Sequence, residues 1–467
     1  MTSTDRARTL GELKASGYRV VSVREEMRRN LIDKIRANEE LFPGIVGYED
    51  TVIPEVENAI LAGQDIILLG ERGQAKSRLI RALVELLDDE IPCVDGCEIN
   101  CNPFDPICRS CDDRLSDMGD DLPVCWLGRD RRYAEKLATP DIAVADLIGE
   151  VDPIKVAEGR YLSDELTIHY GLIPRTNRGI FSINELPDLA ERIQVGLFNL
   201  MEEKDVQIKG YRIRLPLDVY LVASANPEDY TNRGRIITPL KDRYGAQIRT
   251  HYPRRAEEEI RIMEQESSSF SDVEDRLLVP GYMKEITAEI TSLARRSPEI
   301  NQRSGVSVRV SIANYESLVS NAYRRSLRQQ EEMVVPRISD LAAIIPSTMG
   351  KIELETMEDG REGRVLEDLT KRAVLNVFGR YLDADELEDI VLGFEEGLVV
   401  ETGGDRPSSE YVTLLAEIEG FDEPLRRLGV DNRHALVASG MEFILEGLHL
   451  KRRLNKDRVG GRYRYRG

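Results

Sequence analysis

Leu68-Leu69-Gly70-Glu71-Arg72-Gly73-Gln74-Ala75-Lys76-Ser77 is the stretch from which the rest of the chain is read. It follows an apolar run, Asp65-Ile66-Ile67-Leu68-Leu69, and leads into Arg78-Leu79-Ile80-Arg81-Ala82-Leu83-Val84-Glu85-Leu86-Leu87, whose apolar positions recur at helical spacing. Strand, glycine-bearing loop, lysine, hydroxyl and helix, in that order, are the layout of a phosphate-binding loop. Backbone N–H groups of such a loop point at an anion, Lys76 adds a mobile positive charge, and the Ser77 hydroxyl is placed to ligate the Mg²⁺ that accompanies a nucleotide. Ala75 stands where the motif G-x-x-x-x-G-K-[ST] has its second glycine. If that position is left-handed, alanine costs roughly 1–2 kcal/mol there. The other reading of the stretch is an ordinary strand-to-helix turn with a solvated lysine.

Two later strands end in residues suited to work on a phosphate. Gly179-Ile180-Phe181-Ser182-Ile183-Asn184-Glu185 is short, β-branched and tipped by a carboxylate, which is where a base would orient water against a γ-phosphate. Glu185 is therefore the candidate catalytic residue; its other reading is the start of the next helix. Val219-Tyr220-Leu221-Val222-Ala223-Ser224-Ala225 runs into Asn226-Pro227-Glu228, and the Asn226 amide is suited to hold the attacking water or simply to start a turn. Upstream, Phe42-Pro43-Gly44-Ile45-Val46-Gly47-Tyr48 marks a domain entry. Its apolar Ile45 and Val46, with the flexible Gly47, either pack against a nucleotide base or support the sheet.

The chain has 467 residues, which suggests two or three domains. It is 41% hydrophobic and 32% charged, has no run of about 18 apolar residues, and starts without an apolar signal segment. A soluble, cytoplasmic protein is expected, with no membrane insertion. A net charge of −20 argues against general nucleic-acid binding. The exception is local: residues 451–467 carry eight Lys or Arg and one Asp, read first as a disordered tail and second as a segment that docks on an acidic partner or on nucleic acid.

All six cysteines lie between Cys93 and Cys125, in an acidic stretch. Cys108 and Cys111 have knuckle spacing, so Cys97, Cys101, Cys108 and Cys111 are a candidate structural Zn²⁺ set. Free cysteines and an iron–sulfur cluster are the alternatives, and a disulfide framework is not expected in a reducing compartment.

With its strands, loop and polar tips in this order, the chain resembles the AAA+ ATPases, and among them the MoxR-type and magnesium-chelatase small-subunit branch. The resemblance covers about residues 40 to 330. It implies an α/β P-loop core with a parallel sheet, followed by an all-α lid and a further helical C-terminal domain. Ile45, Val46 and Gly47 would contact adenine, and Gly70, Glu71, Arg72, Gly73, Gln74, Ala75, Lys76 and Ser77 would form Walker A, Ala-Lys being common in this branch. Asn184 and Glu185 would end Walker B, and Asn226 would be sensor 1. Leu240-Lys241-Asp242-Arg243-Tyr244-Gly245 resembles a segment that supplies an arginine finger, here Arg243 with Arg249 and Arg235 as substitutes. Arg309 in Ser307-Val308-Arg309 would be sensor 2. Residues 148–178 resemble the insert hairpin of the branch.

The resemblance implies ATP and Mg²⁺ as cofactors and a homo-oligomeric ring, hexameric, whose finger arginine acts on the neighbour's nucleotide. The expected organisation is a helical arm (1–40), a core (41–255) with cysteine-rich and hairpin inserts over about 91–178, a lid (256–335), a helical domain (336–450) and a basic tail (451–467). The expected function is an ATP-hydrolysing motor that remodels a partner, a von Willebrand A domain protein. Alternatives are a magnesium-chelatase ATPase subunit, a transcription or signalling module, and a scaffold that binds ATP without hydrolysing it. Asn184, where Walker B has Asp, keeps an acceptor but loses the charge and predicts a slowed ATPase.

Overall fold

The computed structural model describes residues 6–152, 154, 167–203, 206–208, 211–213, 215–226, 235–268, 270–302, 304–355 and 361–467. They form two compact units, residues 1–251 and 252–467.

The first unit is built on five parallel strands, β1 (Ile66–Leu69), β2 (Tyr133–Leu137), β3 (Gly179–Asn184), β4 (Val219–Ala225) and β5 (Ala246–Arg249). They lie in the order β5-β1-β4-β3-β2. Ile66 stands opposite both Val222 and Ala246, Val219 opposite Gly179, and Tyr133 opposite Ile180. β1 is bounded by its two longest-range neighbours, so the loop that follows it opens beside the ends of β4 and β5.

Parallel strands covered on both faces read as continuous apolar runs, and successive side chains divide between the two layers. Ile66, Leu68, Tyr220 and Val222 join one core with Val23, Met27 and Leu31 of the helix Val23–Arg36. Ile67, Leu221 and Ala223 join the other, with Ile193 and Leu197 of the helix Glu191–Glu203. The helix Val23–Arg36 is therefore part of the first unit's core and not a projecting arm. Its Glu26 pairs with Arg132 through two 2.6 Å hydrogen bonds, both side chains almost wholly buried. Arg132 also donates from Nε to the Arg178 carbonyl at 2.8 Å. A Cβ on Gly179 would lie 2.0 Å from the Arg132 carbonyl oxygen, so β3 must begin with glycine.

Strand β2 ends at Leu137, and a short helix, Val144–Leu147, precedes a separate strand Gly149–Val151. That strand pairs antiparallel with Ile168–Tyr170, giving the base of a hairpin. Pro153 and residues 155–166 of the expected insert lie outside the described residues, as do Pro227 and Glu228.

In the second unit, one hydrophobic cluster runs from Tyr282 and Ile286 through Phe378 to Met441 and Leu448, on both sides of position 336. Tyr282 stacks on Phe443 with ring centroids 4.6 Å apart. The helix His434–Leu450 is buried almost all round, and Phe378 sits where a Cβ on Gly447 would be.

The disordered tail is corrected as well. Asn455–Val459 and Arg462–Arg466 form an antiparallel hairpin, and Val400–Thr402 adds a third strand. The basic side chains meet the chain's own acids: Arg464 with Glu401 at 2.8 Å, Arg462 with Asp405 at 2.8 Å, Arg466 with Asp457 at 2.9 Å and Lys456 with Glu446 at 2.5 Å.

Candidate nucleotide site

The loop after β1 bends through left-handed backbone at Gly73 (φ 76°) and at Ala75 (φ 52°). Alternating hands of this kind turn successive N–H groups into one concavity, an anion nest. Ala75 thus holds the conformation that costs a side-chain-bearing residue, and it caps the helix Lys76–Ala82, which continues as a 3₁₀ turn to Leu86. Gly70 has a second kind of constraint. A Cβ there would lie 1.9 Å from Thr250 Oγ1 and 2.2 Å from Gln74 Oε1.

Thr250, just past β5, donates its hydroxyl to Gln74 Oε1 at 2.7 Å. Tyr48 donates to the Gln74 carbonyl (2.8 Å) and to the His251 carbonyl (2.9 Å), tying the entry segment to the loop. Burial pushes the Tyr48 phenol up to about 12, so it stays protonated and keeps donating. Ile45 packs into the core beside β1, whereas Val46 is buried outside that cluster, next to Gly47 in left-handed backbone (φ 81°).

Lys76 is buried, and its ammonium donates to the carbonyls of Gly70 and Glu71, the latter at 2.8 Å, and to Asn226 Oδ1 at 2.7 Å. Asn226 in turn donates from Nδ2 to Glu185 Oε2 at 2.8 Å. Glu185 directly follows β3 and is itself left-handed, with φ 56° and ψ 48°. The polar tips of β3 and β4 therefore converge on the loop lysine. Asn184 ends β3, and its Oδ1 accepts a 3.2 Å hydrogen bond from Ser224 Oγ on β4. Ser77 lies in the first turn of the helix, half-buried, and Arg72 at the exposed bend of the loop.

A cleft of about 510 Å³ runs along the β5 side of the loop, lined by Gly70, Glu71, Gln74, Lys241, Arg249 and Thr250. Arg249, a substitute finger candidate, thus faces the loop of its own chain. Arg243, at the end of the helix Thr238–Arg243, pairs with Glu202 at 2.6 Å and lies 5.3 Å over the Phe198 ring, half-exposed. Arg235 is exposed. Arg309 opens the helix Arg309–Gln329 in the second unit and is exposed.

Sequence reasoning passed over Thr250, Tyr48 and Ser224. Ser224 lay in plain view two residues before Asn226, but its value depends on strand pairing, one step beyond Ala223 opposite Ile183.

The cysteines also come together. The sulfurs of Cys97, Cys101, Cys108 and Cys111 all lie within 4.8 Å of one another, three of the residues buried and Cys97 half-buried. Hydrogen bonds from Cys101, Cys108 and Cys111 pull the Cys97 thiol far below the usual range. Cys93 and Cys125 face each other across the hairpin of Glu90–Val94 with Val124–Gly128, their sulfurs 3.2 Å apart.

Strand order and loop define a P-loop protein of the AAA+ type. No protein-family model matches the chain. Among curated proteins it is 26% identical over 371 residues to the magnesium-chelatase subunit ChlI of Nostoc sp., covering 74% of this chain and 91% of that relative. It is 29% identical over 235 residues to the magnesium-chelatase 38 kDa subunit of Cereibacter sphaeroides, covering 48% of this chain and 62% of that one. A solved structure of the BchI and BchD subunits of magnesium chelatase has a chain 19% identical to this one, at a TM-score of 0.36, covering 70% of this chain and 98% of that one. These sequence relatives are magnesium-chelatase subunits, which supports the likeness to AAA+ proteins of the magnesium-chelatase-like branch. Among the described residues no helix is long and apolar enough to cross a membrane.

Proposed function

We propose that the chain is an ATP-hydrolysing subunit of a ring that remodels a partner protein. The observation that carries this reading is the continuous hydrogen-bonded path Lys76–Asn226–Glu185 at the mouth of a P-loop. It joins a cation suited to β- and γ-phosphate oxygens to a carboxylate suited to polarise water, with an amide between them that can orient both.

The residues present fit a nucleoside triphosphate with Mg²⁺. The left-handed bends at Gly73 and Ala75 shape an anion nest, and Gly70 leaves no room for a side chain. Bound Mg²⁺ would neutralise charge that develops on the phosphoryl oxygens. Ser77 would supply an oxygen to it, and Asn184 a neutral acceptor held in place by Ser224. Glu185 would take the proton of the attacking water at its carboxylate. Asn226, now shared between Lys76 and Glu185, would hold that water in line.

Arg243 would act on the neighbour's nucleotide. Its half-exposed pairing with Glu202 is a weak surface-type contact, worth about 0–1 kcal/mol, that assembly can exchange for a phosphate. Arg309 is the proposed sensor 2 residue. A finger given in trans needs a neighbouring copy, and the proposed assembly is a homo-oligomeric ring, hexameric; a von Willebrand A domain protein is the proposed client. The names of the sequence relatives support a second reading, the ATPase subunit of a magnesium chelatase.

The test is steady-state phosphate release by the full chain against Glu185→Gln, with native mass measured with and without ATP. Turnover should fall by about 10²-fold or more in the variant, and the assembled form should appear with ATP. Equal release by the two proteins sinks the catalytic assignment. A monomer under both conditions removes the role of Arg243.

A further inference from the structure

The segment between Val94 and Val124 is poorly equipped to hold itself together. It contains one helix of useful length, Arg109–Met118, and that helix buries only Cys111. Eight of its residues are carboxylates. Ile99 and Leu122 share the first unit's core, but by itself a stretch of this size and charge would not gather an adequate core, and such stretches are ordinarily stapled by disulfides or a metal. Its four buried or half-buried cysteines nevertheless meet sulfur to sulfur, not interleaved with carbon as small apolar residues would be.

We infer that Cys97, Cys101, Cys108 and Cys111 bind one structural Zn²⁺ as a tetrahedral four-thiolate site. Zinc–sulfur bonds of about 2.3 Å arranged tetrahedrally place the sulfurs about 3.8 Å apart. The observed spread of up to 4.8 Å needs only a small contraction. It holds a single ion, and it is too tight for the iron and sulfide core of a cubane cluster.

The surroundings suit thiolates. Cys108 is the N-cap of the helix Arg109–Met118 and Cys111 lies in its first turn, so the positive end of the helix faces both sulfurs. The Cys101 N–H donates to the Cys97 sulfur at 3.4 Å. Between those two cysteines the backbone turns at Asn100 in left-handed conformation, φ 53°.

The site staples the insert to the approach of β3. Asn100 Nδ2 donates to the Arg175 carbonyl at 2.8 Å, and Asn177 Nδ2 donates to the Ile99 carbonyl at 3.0 Å. Arg178, the residue before β3, donates to the Pro92 carbonyl at 2.6 Å. Zinc therefore fixes the loop that carries Ile99 and Asn100 against the residues leading to Asn184 and Glu185.

The experiment is elemental analysis of the full chain as purified, together with thiol titration of the native protein. Stoichiometric zinc is expected, with four thiols that react only after a strong chelator removes the metal, while Cys93 and Cys125 serve as the internal comparison. Replacing zinc by Co²⁺ in the wild-type chain should give the visible absorption of a tetrahedral thiolate site, so the result does not depend on a variant that folds. Cys108→Ser/Cys111→Ser should lose the metal where it folds. Protein free of zinc, stoichiometric iron with sulfide, or a mass lower by two hydrogens per bridge from disulfides among these four would each overturn the site.

Discussion

Asn226 sits between Lys76 and Glu185, accepting from the ammonium at 2.7 Å and donating to the carboxylate at 2.8 Å. A cation and an anion that would otherwise attract each other directly are kept one amide apart. Asn226→Ala should therefore cost turnover more than binding. Phosphate release should drop by about 10²-fold, while nucleotide affinity changes by no more than about threefold, because Lys76 keeps its loop carbonyls. Equilibrium binding and steady-state release on the same preparation check this; a large loss of affinity with normal turnover would contradict it.

Asn184 is the position at which the chain gives up a charge. Its Oδ1 is held by Ser224 and not by a cation. Asn184→Asp keeps that acceptor and restores the charge, a gain of about 1 kcal/mol in a charge-assisted contact. Phosphate release should rise about fivefold. A scaffold that binds ATP without turning it over would show no release in the wild type.

Ala75 is left-handed at φ 52° and its surface is exposed, so a hydrogen can replace its methyl group without opening a cavity. Ala75→Gly removes a penalty of roughly 1–2 kcal/mol but adds about 0.5–1 kcal/mol of backbone freedom to lose on folding. The net effect on the first unit should be a stabilisation of about 0–1.5 kcal/mol, with nucleotide binding kept. Denaturant unfolding measures it, and a clear destabilisation would mean that Ala75 makes contacts the strain argument omits.

In the second unit, Glu331 meets Arg337 at 2.8 Å and Arg325 at 2.7 Å, and accepts from the Ser408 N–H. Burial works to raise its pKa, but Arg337, Ser408 and Arg325 outweigh burial and hold it below the usual carboxylate value. A carboxylate lowered in this way contributes its full stability above its unfolded pKa near 4.3 and loses it as the pH falls through the lower folded value. Unfolding of this unit should become easier on acidification below about pH 4.3, and Glu331→Gln should flatten that part of the profile. At neutral pH the same variant should cost up to about 3–5 kcal/mol, since it strips the carboxylate from buried Arg337, while Arg325 keeps Asp340 at 3.0 Å.

The parts of the site that announce themselves in sequence are those carried by consecutive residues. Gly70 to Ser77, the tip of β3 and the tip of β4 are each legible because a strand, a turn and a polar residue follow one another within a few positions. Thr250 on Gln74 and Ser224 on Asn184 are contacts across strands, and their meaning depends on the order β5-β1-β4-β3, which no local pattern states. The four cysteines were legible from spacing, although the convergence of their sulfurs is a fact of three dimensions.

The C-terminal hairpin had a signal that charge obscured. Arg462-Tyr463-Arg464-Tyr465-Arg466 alternates with period two and follows Gly460-Gly461, whose positive φ values of 58° and 88° are those of a tight hairpin turn. Tyr465 is the buried member of the alternation, with its hydroxyl on Glu446 at 2.5 Å.

The buried pair of Glu26 and Arg132 bears on how the nucleotide-binding region can be isolated. Cutting the chain at the expected boundary of residue 41 would remove Glu26, the carboxylate that pairs with Arg132 beside the start of β3, and with it Val23, Met27 and Leu31, which cover one face of the sheet. A minimal ATP-binding fragment must therefore begin before Val23, and deletion of the N-terminal helix will register as failure to fold before it can report on catalysis.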